Sequence, residues 1–111
     1  MKKLIAKIEK AGISIDKYTE GKKICGYELN TYTDGGLNQI VFVDFRNTDK
    51  DPKKAKDFKE VFLKRIIDID VDEEVELNRQ DKGYRNAFTL RAALNDVEAW
   101  KEELLELAIS L

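Results

Sequence analysis

Two alternating runs separated by Asp34-Gly35-Gly36 constrain this chain more than any other feature. Cys25, Tyr27, Leu29 and Thr31 recur at every second residue in the first run, as do Val41, Val43 and Phe45 in the second. Successive side chains of a strand point to opposite faces, so each run presents one apolar face and one polar face. The two glycines supply the positive-φ positions that a tight connection needs. The pattern predicts an antiparallel β-hairpin over 23–33 and 39–45, one side of which needs cover from elsewhere in the chain.

Helices are the available cover. Residues 1–11 place Leu4, Ile5, Ile8 and Ala11 on one side and Lys3, Lys7 and Lys10 on another, with Gly12 as the stop. A loop through Gly21 is expected to lead from there into the hairpin. Asp51-Pro52 predicts the start of a second helix, Asp51 as N-cap and Pro52 at the first helical position, where a missing N–H does no harm. Ala55, Phe58, Phe62 and Ile66 form its apolar stripe. Lys53/Asp57, Lys56/Glu60 and Glu60/Lys64 pair at i, i+4 on the opposite face, each worth about 0.2–0.5 kcal/mol.

The last helix starts at Asn95 as cap, with Glu98 in the capping-box position. Val97, Trp100, Leu104, Leu107, Ala108 and Leu111 make a continuous stripe, expected to dock on the sheet with Trp100 as a core anchor. The stretch 67–90 admits two readings. Alternation in Ile67-Asp68-Ile69-Asp70-Val71 favours a short strand, followed by a second hairpin around Asp81-Lys82-Gly83; a short helix capped by Asp72 competes with it. At 111 residues the chain has room for one core, so the expectation is a single α+β domain over 1–111. It has an N-terminal helix, a central antiparallel β-hairpin extendable to three or four strands, and two longer helices packed on one face.

Composition removes several function classes. Without histidine there are no His-dependent triads or imidazole ligands, and one cysteine forms neither an intrachain disulfide nor a thiolate zinc cluster. Cys25, between Ile24 and Gly26, reads as a buried, inert thiol in a reducing cytoplasm. Lys7, Glu9 and Lys10 break what would be the apolar stretch of a secretory signal, and no apolar run approaches the roughly 20 residues that span a bilayer. Asp68, Asp70 and Asp72 imitate the start of a calcium loop. The sixth position is Glu73 instead of Gly and the twelfth is Arg79 instead of Glu, so the cage does not close. No nucleophile elbow or phosphate loop occurs, and no carboxylate pair stands out among the many. The expectation is a non-enzymatic protein with no cofactor and no metal.

Charge carries the remaining functional signal. The net value of −2 divides into 15 Lys/Arg against 10 Asp/Glu over residues 1–65 and 5 against 12 over residues 66–111. Nucleic-acid binding would use Lys3, Lys7, Lys10, Lys22 and Lys23, with Tyr18 and Tyr32 available for stacking. The acidic half of the molecule repels a polyanion, which makes this the alternative. The preferred surface is acidic: Glu98, Glu102 and Glu106 descend the last helix at i, i+4 and i+8, offset only by Lys101, and Leu105 and Ile109 lie beside them. An apolar pair framed by carboxylates suits a basic protein partner. The competing account packs Leu105 and Ile109 under the loop before Asn95 and leaves the glutamates to solubility. Tyr84 and Arg85, within the Arg79/Arg85/Arg91 series around Phe88, add a hot-spot composition to the candidate surface. Ion pairs from these arginines to Asp68–Glu76 are the simpler alternative. The apolar pair also suits a homodimer, since a two-fold interface needs one self-complementary patch.

Val71-Asp72-Glu73-Glu74-Val75-Glu76-Leu77, followed by Tyr84-Arg85-Asn86 and an acidic helix containing Trp100, resembles small uncharacterised acidic α+β proteins of bacterial gut commensals and their phages or mobile elements. The resemblance covers about the last 40 residues. It implies a non-enzymatic interaction protein, modulatory in a mobile-element context, and carries no catalytic residue.

Overall fold

In the computed structural model the described residues are 1–33, 36–73 and 97–111. Helix α1 spans Lys2–Lys10, strands β1 Ser14–Glu20, β2 Lys23–Thr33 and β3 Gly36–Asp44, and helices α2 Ala55–Ile67 and α3 Val97–Ser110. The strands form one antiparallel sheet in the order β1-β2-β3. The architecture is the expected mixed α+β fold.

The hairpin register explains the core. Leu29 pairs with Val41 and Tyr27 with Val43, so the apolar faces of the two alternating runs coincide. Tyr27, Leu29, Val41, Val43 and Phe45 are buried on that face against Leu4 and Ile8 of α1, Phe58, Phe62 and Ile66 of α2, and Leu104 and Ala108 of α3. Tyr27, Phe45, Phe58 and Phe62 form an aromatic chain at its centre, with Tyr27 and Phe58 edge to face at 5.2 Å. Each buried Phe or Leu stabilises by about 1.5–3 kcal/mol, so this face is the main source of stability.

Four sequence expectations change. The loop expected through Gly21 is instead strand β1: Ile13 is buried and Ile15 packs partly into the core, opposite Leu29. Pairing along β2 supplies this third strand, which its own short pattern does not advertise. Asp51 does not cap α2. Its Oδ1 accepts from Lys53 N–H at 2.9 Å and its carbonyl from Lys54 N–H, so 51–54 is a turn and Lys54 becomes the N-cap. Tyr27 Oη donates to the Pro52 carbonyl at 2.6 Å and ties that turn to the sheet.

The strand expected over Ile67–Val71 is absent too. Ile67 ends α2, and residues 71–73 are helical, with Asp70 Oδ1 accepting from Glu73 N–H at 3.0 Å. The competing short-helix reading therefore holds at this point, with Asp70 rather than Asp72 as cap. Finally, α3 packs chiefly against α2 rather than on the sheet. The second hairpin, Asn95 and the Arg79–Arg91 series lie outside the described residues, as does the side chain of Trp100.

Candidate functional site

The acidic helix is built on two buried anchors. Leu104 and Ala108 are buried, and Leu105, Leu107 and Leu111 are partly buried against the same core. At 100° per residue this core arc turns Glu98, Glu102, Glu103 and Glu106 outward, and all four are exposed. Leu105 is thus partly packed on the edge of the core, while the loop before Asn95 lies outside the described residues. Ile109 is 70% exposed.

Lys101, the one cation set among these glutamates, faces elsewhere. Its Nζ donates to the Ile69 carbonyl at 2.6 Å and to the Ile67 carbonyl at 3.3 Å, at the C-terminal end of α2. A cation there satisfies carbonyls that lack helical partners and meets the negative end of the helix dipole. The result is an α3 row of glutamates without compensation from its own helix.

These contacts also fix the helix pairing. The start of α3 meets the end of α2 through Lys101, while Ala108 and Ile109 share a shallow recess of about 430 Å³ with Lys56, Lys59, Glu60 and Leu63. The two helices therefore run antiparallel. Leu63 and Ile67 stand four apart on α2, as do Leu105 and Ile109 on α3, and Ile67 is 57% exposed. The groove between the helices thus carries Lys56 and Lys59 beside Leu63 on its α2 side, and Ile109 next to the glutamate row on its α3 side.

The α2 charges are not paired as their spacing predicts. Glu60 takes Lys50 at 2.6 Å, from the segment before the helix, and this contact raises the Lys50 pKa above its ordinary value. Lys64 pairs with Asp68 at 2.9 Å. Among the described residues Lys56 and Lys59 take part in no ion pair.

The lysines of the nucleic-acid alternative lie on two separate elements. Lys3, Lys7 and Lys10 share an exposed flank of α1 by helical phase, and Lys22 and Lys23 are exposed at the β1–β2 turn. The recess between α1, β1 and the turn before α2 is lined instead by Lys2, Lys17 and Lys53 around Ile5, Ile24 and Tyr27. Tyr84 and Arg85 lie outside the described residues.

Cys25 is buried, with Sγ 3.6 Å from the Lys23 carbonyl. Asp68 and Asp70 of the calcium-like segment are engaged by Lys64 and by the Glu73 backbone, and no group of three or more metal-ligating side chains occurs among the described residues.

One cluster escapes sequence reasoning. On the sheet face away from the core, Phe42 meets Tyr18 edge to face at 5.5 Å, and the Arg46 guanidinium lies 5.6 Å and 5.7 Å from the two ring centres. Arg46 also grips both oxygens of Asp44, at 3.0 and 3.1 Å, and reaches Glu20 at 3.4 Å. The hydrogen bonds from Arg46 hold the Asp44 carboxyl below its ordinary pKa. Strands β1 and β3, on either side of β2, contribute with the turn after β3, so no local pattern announces it. With its carboxylates already engaged, the cluster acts as a clasp across the sheet.

No helix among the described residues is long and apolar enough to cross a membrane. Comparison with family models, curated proteins and solved structures finds no match to this chain.

Proposed function

We propose that this chain is a non-enzymatic cytoplasmic interaction module that engages a protein partner through the α2–α3 face. The observation that carries the reading is Ile109: a large apolar side chain held 70% exposed on the α2–α3 pair, beside an exposed glutamate row. An apolar anchor rimmed by charge is the usual anatomy of a protein interface. Glu98, Glu102 and Glu106 steer a complementary cationic surface, and Leu105 and Ile109 supply the desolvated contact. A modulatory role in a mobile-element setting follows the resemblance of the C-terminal stretch.

The test is affinity capture from extract of the native host, quantified against two variants. Ile109→Lys and the double variant Glu98→Lys/Glu102→Lys are each expected to lose the captured partner while keeping the wild-type unfolding midpoint. Capture unchanged by both folded variants would refute the reading.

A further inference from the structure

We propose that the basic partner complementary to the α3 glutamates is the α2 lysine flank of a second copy of this chain, giving a two-fold dimer across the α2–α3 seam. The inference rests on the function proposed above and names the partner for the same face. Its basis is the order of chemistry across that face: exposed Lys56 and Lys59 on α2, Ile109 with the half-buried Leu105 on the facing edge of α3, then exposed Glu102 and Glu106 further round α3. A surface divided into a positive strip, an apolar strip and a negative strip is complementary to its own image under one rotation.

That rotation is a two-fold axis lying in the interface and running parallel to the helices. It leaves height along the helices unchanged and exchanges left for right. Helix α2 of each copy then lies over α3 of the other, antiparallel, as the two already lie within one chain. Lys59 shares the recess of Ala108 and Ile109, so it sits within about a turn of Glu106 in height. In the dimer Lys59 of each copy meets Glu106 of the other, twice by symmetry, and the two Ile109 side chains close the apolar seam between them. The other axis lying in the interface, perpendicular to the helices, lays α2 over α2 and α3 over α3 and so opposes like charges.

Among the described residues no carboxylate engages Lys56 or Lys59. Glu60, the carboxylate nearest them in sequence, is already held by Lys50, and Lys101 is committed to the end of α2. The seam therefore keeps its charge separation instead of neutralising it internally.

Charge reversal tests the pairing directly. By sedimentation velocity over a concentration series, the wild-type chain is expected to pass from 12.8 kDa to twice that mass. Lys59→Glu alone, Glu106→Lys alone and Ile109→Lys are each expected to weaken self-association about tenfold or more. An equimolar mixture of the Lys59→Glu and Glu106→Lys chains is expected to recover it as a heterodimer, because both cross-pairs then join opposite charges. Circular dichroism and unfolding midpoints establish that each variant is folded. A wild-type chain that stays monomeric at every concentration, or a mixture that stays monomeric, overturns the proposal. If the monomeric wild type still captures a host protein in a manner that Ile109→Lys abolishes, the interaction face stands and only its self-pairing falls. If capture is also insensitive to Ile109→Lys, both fall.

Discussion

Gly26 sits where the sheet has no room for a side chain. A Cβ there would stand 2.6 Å from the Val43 carbonyl oxygen and 2.7 Å from Cζ of Phe42, because the Phe42 ring leans across β2 towards Tyr18. Gly26→Ala is expected to destabilise by about 1–3 kcal/mol, read as a lower urea midpoint, through displacement of the Phe42 ring and the β2–β3 ladder. Tyr27 is the second residue with a sharp consequence. Burial, and then the nearby Asp51 charge, push its pKa above the ordinary 10.0. A folded pKa above the unfolded one contributes stability that is full below about pH 10 and is lost as pH rises through the folded value. Wild type should therefore lose more stability than Tyr27→Phe between pH 9 and 11 in urea titrations. At neutral pH the same variant loses the Pro52 hydrogen bond, about 1 kcal/mol. Alternation along β2 places both residues on their faces, but the closeness of Phe42 to Gly26 comes from the lean of the ring across β2 to Tyr18, a contact between distant segments.

At the scale of elements, local signals work where the chain satisfies its own backbone. Helix α1 ends as Gly12 predicts: φ is +88°, Gly12 N–H donates to the Glu9 carbonyl, and Ile13 N–H donates to Ile8. Ile13 then buries beside Ile8. Nothing lies within 4 Å of a Cβ at Gly12, so Gly12→Ala is expected to cost about 1 kcal/mol from backbone strain alone, read from the thermal midpoint. The start of α2 shows the opposite case. Asp51-Pro52 is a sound cap signal, yet the Tyr27–Pro52 bond and the Asp57 carboxylate, 2.8 Å from Asp51 N–H, hold the segment as a turn. At its other end α2 is completed by Lys101 from 34 residues away, which no local rule anticipates. Lys101→Met is expected to lower stability by about 0.5–1 kcal/mol in urea denaturation, since it removes the cation from those carbonyls.

At the scale of the molecule, surface and core respond to different substitutions. Ile109→Lys changes a side chain that the core does not use, so the unfolding midpoint is expected to move within about 0.5 kcal/mol while partner binding is lost. Leu104→Ala, one turn along and 1% exposed, is expected to cost about 2–5 kcal/mol. The contrast separates a binding residue from a packing residue on the same helix. Sequence periodicity distinguishes the main apolar arc from Leu105 and Ile109, but it does not divide those two. The division follows from packing: Leu105 is partly buried against the core, while Ile109 stands in the recess beside Lys56 and Lys59.

The sequence by itself determined the hairpin, the three helices, the exposed glutamate row and the burial of Cys25, because each depends on periodicity or turn chemistry within a few residues. Tertiary structure decided the third strand, the docking of α3 on α2, the capture of Lys101 by the end of α2 and the lysines beside Ile109. Those depend on which faces meet, and apolar stripes are nearly interchangeable as packing partners: an amphipathic helix specifies that it must be covered, not by what. The net charge reflects the same limit. Counting along the chain sets a basic half against an acidic half, while the fold lays an acidic row and a basic row side by side on one face.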